Sequence, residues 1–377
     1  MTEPEEGPAR EALRAVLVGM GADLDEVDRA ERDGTLTLLA VEKMMVPEPA
    51  CFDVADVTER TGLSEELLLR MWRALGYPEP RPDEKAFTET DVEILSKVGD
   101  LISLDPQQAA LVLQVSRVIG SSIARIASAE IDAISGPTAT VENVAAVRSD
   151  EVVMRAGALL PVIPRVLEVV WRRHLRAAAR ARMVQVADQT ATRVAVGFAD
   201  LVGFTALSQQ VSELELVNIV NQFEDLVFDV ITAGGGRVVK TIGDEVMFSV
   251  PSPKAAAEIA LALVEGTRAS EGLTDVRVGM AFGPVVDREG DQYGPVVNLA
   301  SRITAIALPG TVVVAPELAE AIADDPAYTR RAMRPRYLKD IGRLRLHALR
   351  RSAQIEGEFS ERRKALLEAT RAAIDPE

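Results

Sequence analysis

The pattern of apolar and polar positions divides the chain into two parts. Before about residue 170, apolar residues recur at helical spacing, as in "SEELLLRMWRALG" and "QQAALVLQVSRVIGSSIARIASAEIDAI". From "TRVAVGFADLV" onward, short β-rich runs alternate with longer helical runs. The pattern therefore predicts an α+β protein, with an all-helical domain over 1–170, a mixed α and β domain over 188–352 and a charged tail over 353–377.

The segment "WRRHLRAAARARM", which joins the two parts, contains five arginines and no helix breaker. We therefore expect an Arg-rich helical linker over 171–187. In such a helix His174 would lie near Arg173, Arg176 and Arg180, so that its protonation could weaken the helix by repulsion. Because histidine titrates in the physiological range, we hypothesise a pH-sensing, regulatory role for His174. The alternative is an exposed histidine without a role.

Composition narrows the class of protein. The chain has 377 residues, a net charge of −16 and a single cysteine, Cys51, which excludes an intramolecular disulfide. An acidic chain repels polyphosphate, so nucleic acid is not an expected partner. The acidic, Pro-containing N-terminus does not resemble a signal peptide. The most apolar candidate span, 158–171, is too short and too polar for a bilayer, so we expect no transmembrane segment and a cytoplasmic protein.

Candidate chemistry is concentrated in the second part. The hairpin "VVKTIGDEVMFSV" carries Lys240 within an apolar strand and Asp244 in its turn. Upstream, a strand ends at Asp200, before a turn at Gly203. Two converging carboxylates, together with the carbonyl oxygen of Leu201, would suit two Mg²⁺ or Mn²⁺ ions. Taken singly, each aspartate is better explained structurally, Asp200 as a helix cap and Asp244 as a turn residue.

A third polar group follows in "DQYGPVVNLASRI", which begins at Asp291. Gly294 and Pro295 predict a helix start, and Asn298 and Arg302 are four residues apart on one face. An amide and a guanidinium on one face suit a sugar and a phosphate, although an exposed polar stripe would look the same.

The patterns FxDLxGFT, KxxGD and DxYGxxVNxASR, in this order over about a hundred residues, resemble the catalytic domain of class III nucleotidyl cyclases. The resemblance covers roughly residues 190–350. Functional positions of the family match residues of this chain. They are the metal-binding Asp200 and Asp244, the purine-selecting Lys240 and Asp291, the ribose-orienting Asn298, the transition-state-stabilising Arg302 and, more loosely, the triphosphate-binding Lys339.

The resemblance also implies an architecture and an assembly. It implies a βαββαβ, ferredoxin-like core sheet with helices on one face, in a head-to-tail homodimer with active sites at the interface. In each site, the aspartates of one subunit would bind the two metal ions, and the other subunit would contact the base and the ribose.

Hydrogen-bond polarity predicts the purine. Lys240 can only donate and the Asp291 carboxylate can only accept, which fits the N1 acceptor and N6 donor of adenine and opposes the guanine pattern. The sequence therefore predicts an adenylate cyclase that converts ATP to 3′,5′-cyclic AMP and pyrophosphate. Guanylate cyclase activity is the less favoured alternative.

The N-terminal part carries a second, local resemblance. Residues 52–97 resemble the helix–turn–helix head of MerR-type regulators, which raises the alternative of a DNA-binding regulator with a nucleotide-sensing domain. The segment holds eleven acidic and six basic residues, the reverse of a DNA-binding surface. The order of domains resembles soluble actinobacterial cyclases with an N-terminal regulatory domain, which implies inhibition and pH dependence. A fatty acid or other apolar effector between its helices is a further hypothesis.

Overall fold

The computed structural model describes residues 6–19, 21–45, 48–105, 107–135, 149–188 and 193–352. The chain divides into two compact units, Met1–Ala181 and Arg182–Glu377. The predicted tail over 353–377 lies outside the described residues.

The first unit is helical, with one isolated β-bridge between Phe52 and Phe87. Its helices are α1 (Glu6–Gly19), α2 (Leu24–Arg32), α3 (Leu36–Met45), α4 (Val54–Thr61), α5 (Glu65–Ala74), α6 (Glu89–Leu104), α7 (Gln108–Ser135), α8 (Ser149–Leu159) and α9 (Ile163–Asp188), the last of which continues into the second unit.

Local sequence signals explain the helices of the MerR-like segment. Asp53 and Thr88 form capping boxes at the starts of α4 and α6, each satisfying backbone N–H groups of a first turn. Gly62 ends α4 with a φ of 70°, a conformation that glycine adopts without strain. Ser64 then caps α5. The helix, turn and second helix thus occur where the sequence pattern places them.

Helix α7 crosses the C-terminal end of α5 at Gly120. A Cβ atom at this position would lie 2.4 Å from the Leu75 carbonyl oxygen, so only glycine permits the approach. By length and composition alone, Gln108–Ile134 could also cross a membrane, and 17% of that window is buried. The prediction of no transmembrane segment was based on residues 158–171 and did not include this helix. Residues 158–171 do not form one continuous helix, because α8 and α9 are separated at Pro161.

The second unit is built on a mixed sheet. Its strands are β1 (Arg193–Leu201), β2 (Arg237–Ile242), β3 (Glu245–Val250), β4 (Val276–Pro284), β5 (Val286–Arg288), β6 (Asp291–Tyr293), β7 (Val312–Val314), β8 (Tyr328–Ala332), β9 (Arg336–Leu338), β10 (Gly342–Leu344) and β11 (His347–Arg351). Its helices after α9 are α10 (Phe204–Leu207), α11 (Glu213–Ala233), α12 (Pro253–Ala269), α13 (Pro295–Ile306) and α14 (Pro316–Ala321).

Seven strands form the main sheet in the order β2-β3-β1-β4-β7-β11-β8, and β4 and β7 are its parallel pair. The succession β1-α11-β2-β3-α12-β4 confirms the predicted βαββαβ core. Apolar residues of α11 and α12, such as Val227 and Ile259, pack on one face of the sheet. The opposite face is covered by α13 through Ala300 and Ile303, so helices lie on both faces of the sheet and not on one face, as the resemblance implied.

Candidate active site

Two aspartates lie at one end of β1. Asp200 is the penultimate residue of β1 and pairs with Glu245 of β3. Asp244 occupies the turn between β2 and β3, after Gly243 with a φ of 63°. The N–H of Leu201 donates to the Asp244 carbonyl oxygen at 3.2 Å, which joins the end of β1 to this turn. The convergence predicted for Asp200 and Asp244 therefore follows from the pairing of β1 with β3.

Arg277 of β4 is bonded to one of these acids. It is opposite Asp200 in the β1–β4 register, and its Nε and Nη2 both lie 2.5 Å from Asp200 Oδ2. Burial raises the pKa of the Asp244 carboxyl, and the nearby Asp200 charge raises it further, whereas Arg277 opposes both effects. Burial and the charges of Asp200 and Asp244 also raise the pKa of the Glu245 carboxyl, and Arg277 again has the opposite effect.

Arg277 is not among the site residues predicted from the sequence. The available signal was an arginine inside "VRVGMAFG", an otherwise apolar strand. The role of Arg277 depends on which strand pairs with β4, and a short stretch of sequence does not predict that pairing.

Neighbouring carboxylates provide the hard oxygen donors that Mg²⁺ and Mn²⁺ prefer. Asp200 and Asp244 therefore fit a divalent cation, whose charge would relieve their mutual repulsion. Within the part of the chain that the structure describes, no group of three or more His, Cys, Asp or Glu side chains is arranged to hold a metal ion. A cation on this pair would thus keep coordination positions for other oxygen ligands.

Lys240 and Asp291 form an ion pair between β2 and the start of β6. The distance from Lys240 Nζ to Asp291 Oδ2 is 2.5 Å, and the two side chains retain 36% and 24% exposure. Burial alone would raise the pKa of the Asp291 carboxyl, but the Lys240 ammonium and the backbone N–H of Gln292 outweigh it and lower the pKa. Asp291 is therefore held as a charged acceptor.

A β-bulge sets the direction of Lys240. Val238 pairs with Phe248 and Lys240 with Met247, so Val239 is the extra residue. Directly paired residues lie on one face of a sheet, and Met247 belongs to the cluster beneath α13. Regular alternation would instead have put Lys240 on the same face as Val238, which packs against the α11 and α12 side. The bulge thus turns Lys240 toward Asp291.

The remaining predicted residues lie on and near α13. Asn298 and Arg302 are both exposed, one helical turn apart. Arg302 Nη2 is 3.8 Å from Asp340 Oδ2, a long contact that holds the side chain weakly. Lys339, next to Asp340, lies in the turn between β9 and β10. The contact between Arg302 and Asp340 places this turn near the outer face of α13.

Comparisons with known proteins identify the family of each part of the chain. A family model of the adenylate and guanylate cyclase catalytic domain matches residues 186–350, and one of the adenylate cyclase regulatory domain matches residues 5–178. An adenylate cyclase of Streptomyces coelicolor is 37% identical over 314 residues, which cover 81% of this chain and 82% of that protein. A pH-sensitive adenylate cyclase of Mycobacterium tuberculosis is 32% identical over 334 residues, covering 85% and 83%.

Among solved structures, the chain is similar to the catalytic core of a rhodopsin-guanylyl cyclase with converted specificity, with a TM-score of 0.40, 21% identity and coverage of 43% of this chain and 97% of that one. The resemblance found in the sequence is confirmed by the family models and the curated relatives. This chain is an enzyme of the class III nucleotidyl cyclase family, in which an adenylate cyclase regulatory domain precedes the cyclase catalytic domain.

Proposed function

We propose that the protein is an adenylate cyclase that converts ATP to 3′,5′-cyclic AMP and pyrophosphate. The observation that carries this proposal is the ion pair of Lys240 and Asp291, held as a fixed donor and a fixed acceptor. If an entering base separated the two side chains slightly, Lys240 would donate to adenine N1 and Asp291 would accept from the adenine N6 amino group. With guanine, the donor Lys240 would face the N1–H donor and the acceptor Asp291 would face the O6 acceptor, so GTP should be a poor substrate. The adenylate cyclases among the curated relatives support the same choice.

Asp200 and Asp244 are the proposed ligands of two Mg²⁺ or Mn²⁺ ions. When bound, such ions would supply activation of the ribose 3′-hydroxyl and neutralisation of the departing pyrophosphate. Arg277, which is bonded to Asp200, has a planar set of donors that would suit the anionic triphosphate. Leu201 could add its carbonyl oxygen to the ion.

The exposed face of α13 supplies the other proposed contacts. Asn298 would orient the ribose by hydrogen bonds, and Arg302 would stabilise the negative charge that develops on the α-phosphoryl oxygens. Arg302 is available for this role because its contact with Asp340 is long and solvent-exposed. Lys339, in the neighbouring turn, would bind the triphosphate.

The family resemblance supports a homodimer in which these contacts are divided between two copies. The aspartates of one copy would meet Asn298 and Arg302 of the other, giving two equivalent sites. The exposure of Asn298 and Arg302 is compatible with an additional subunit on this face.

The helical unit is the proposed regulatory part, sensitive to pH or to a small apolar effector. A relative is named as pH-sensitive, which supports the first signal. For the second, an open pocket of about 520 Å³ lies between α5 and α7, lined by Leu113 and Ala124 among apolar residues and by Arg70 and Arg117. Arg117 of this lining would suit the acidic head of a fatty acid, and Leu113 would contact its chain. A cytoplasmic location stays a prediction.

DNA binding by the MerR-like segment is not favoured. Its basic residues each lie within 4.0 Å of an acidic partner. The pairs are Arg60–Glu89, Arg70–Glu66, Arg73–Glu79, Arg81–Glu84, Lys85 with Asp53 and Asp56, and Lys97–Glu93. Phosphate contacts would require cations that are not already neutralised.

The proposed function is tested by measuring cyclic nucleotide formation from ATP and from GTP with Mn²⁺ and with Mg²⁺, using the full chain. We expect cyclic AMP and pyrophosphate in equal amounts, with a strong preference for ATP. Equal use of both nucleotides, or binding of operator-like DNA without cyclase activity, would refute the proposal.

A further inference from the structure

The inner face of α13 lies directly against the backbone of β4. A Cβ atom at Gly279 would lie 2.2 Å from the Thr304 backbone nitrogen, and one at Gly283 would lie 2.7 Å from Val296 Cγ2. At Gly279 the clash would be with the backbone of the helix, so a side chain there would displace α13. The helix therefore rests on two glycines of one strand, closer to the sheet than side chains at those positions would permit.

The two contacts match the lengths of helix and strand that lie between them. The eight residues from Val296 to Thr304 rise by about 12 Å in a helix. The four residues from Gly279 to Gly283 extend by about 13 Å in a strand. Helix α13 thus runs along β4 in the opposite direction to the strand, with a close contact at each end.

Thr304 adds a polar contact at one of these two points. It is 1% exposed, and its hydroxyl oxygen lies 3.0 Å from the Ala300 carbonyl oxygen of α13 and 3.3 Å from the Phe198 carbonyl oxygen of β1. The single hydroxyl hydrogen is shared between these two acceptors. Phe198 is directly opposite Gly279 in the β1–β4 register, so the hydrogen bond and the close contact fall on the same pair of strand residues.

The residues proposed to contact the ribose and the α-phosphate lie on the other side of α13. At about 100° per residue, Asn298 and Arg302 are turned by about 200° and 240° from Val296, and both are exposed. The proposed base contacts, Lys240 and Asp291, belong to β2 and β6 of the same copy. Because base, ribose and α-phosphate are parts of one nucleotide, the distance of α13 from the sheet must match their spacing. A displacement of about 1 Å can lower the rate of a reaction about 100-fold.

We propose that Thr304 is a positioning residue for the cyclase reaction. Its hydroxyl, which lies over the pair of Phe198 and Gly279, holds α13 on the sheet at the height at which Arg302 meets the α-phosphoryl group. The inference rests on the role proposed for Arg302. Since that contact strengthens in the transition state, loss of the hydroxyl should lower kcat and leave KM for ATP nearly unchanged.

A comparison of alanine with serine at position 304 tests the proposal in the full chain. Both substitutions remove the methyl group of Thr304, and only serine keeps the hydroxyl. We expect kcat with ATP to fall about tenfold in Thr304→Ala and to stay within about twofold of wild type in Thr304→Ser. The KM for ATP should stay within about twofold of wild type in both variants.

Thr267 of α12 provides a matched control on the other face of the sheet. It is also 1% exposed, and its hydroxyl oxygen lies 3.2 Å from the carbonyl oxygens of Leu263 and Val264. Both acceptors belong to α12 itself, so this hydroxyl does not join its helix to the sheet through them. In Thr267→Ala and Thr267→Ser, kcat should therefore stay within about twofold of wild type.

Amide hydrogen exchange measures the same contact without catalysis. Loss of a hydrogen bond that holds α13 should make exchange within residues 297–306 about fivefold faster in Thr304→Ala than in Thr304→Ser. The two Thr267 variants should not differ from each other in this segment.

Equal kcat values for Thr304→Ala and Thr304→Ser would overturn the proposal, as would an equal fall of kcat in Thr267→Ala. A raised KM with unchanged kcat would also overturn it, because the residue would then affect binding alone. A wild-type chain that forms no cyclic AMP would refute the proposed function instead. The exchange comparison would still decide whether the hydroxyl of Thr304 holds α13, and equal exchange in the two Thr304 variants would show that it does not.

Discussion

Exchanging the hydrogen-bond polarity of the base-selecting pair should change the nucleotide that the enzyme prefers. Lys240→Glu together with Asp291→Cys replaces a donor by an acceptor and an acceptor by a weak donor. The double variant should therefore lose the two contacts proposed for adenine and gain two compatible with guanine. Complete conversion is not expected, because groups around the pair also orient the base.

The size of the effect follows from the environment of the pair. Hydrogen bonds to charged groups contribute about 1.5–3 kcal/mol each. Lys240 and Asp291 retain 36% and 24% exposure, so the lower end of that range applies. Two contacts of about 1.5 kcal/mol give about 3 kcal/mol, or roughly a 150-fold change in the ratio of kcat/KM for ATP to that for GTP.

The assay compares initial rates of cyclic AMP and cyclic GMP formation over a range of substrate concentrations. A matched control is available nearby, because Arg237 of β2 pairs at 3.5 Å with Asp287 of β5, the strand that is hydrogen-bonded to β6. Arg237→Glu with Asp287→Cys makes the same changes of charge and should leave the ATP to GTP ratio within about twofold of wild type. An unchanged ratio in a folded Lys240→Glu, Asp291→Cys protein would refute the assignment of the base contacts.

Two further predictions concern pH. Since burial and the Asp200 charge raise the pKa of Asp244, this carboxyl should gain a proton at a higher pH than an ordinary aspartate, and metal-dependent activity should fall earlier on the acid side. Raising the Mn²⁺ concentration should move that acid limb to lower pH, and an acid limb independent of Mn²⁺ would contradict this. His174→Ala should flatten the pH–activity profile between about pH 5.5 and 7.5, whereas superimposable profiles would exclude His174 as the sensor.

Much of the catalytic fold could be predicted because its signals are local. The continuous apolar runs of β1 and β3 and the glycine turns at Gly203 and Gly243 lie in short stretches of chain, so they predict the ends of β1 and β2, where Asp200 and Asp244 lie. The Asn298 and Arg302 spacing likewise predicts a shared face once Gly294 marks the helix start.

The remaining features depend on contacts between distant segments. Regular alternation along β2 would place the Lys240 side chain on the face that packs against α11 and α12. The bulge at Val239 moves Lys240 to the opposite face, and this bulge forms only when β2 pairs with β3. Arg277 acquires its role through the register of β4 on β1. Helix α9 begins at Ile163, ahead of the arginine-rich linker predicted over 171–187.

Complementation between two inactive variants tests the central claim, an active site shared by two copies, most directly. The activity of Asp200→Ala and of Arg302→Ala homodimers with ATP should be at least about 100-fold lower than that of wild type. In each homodimer, both sites lack a group that stabilises charge. After mixing in equal amounts and re-dimerisation, half of the dimers should be mixed and each should hold one intact site, so about one quarter of wild-type activity should return. No recovery, in a sample where differently tagged subunits co-purify as heterodimers, would contradict the shared site.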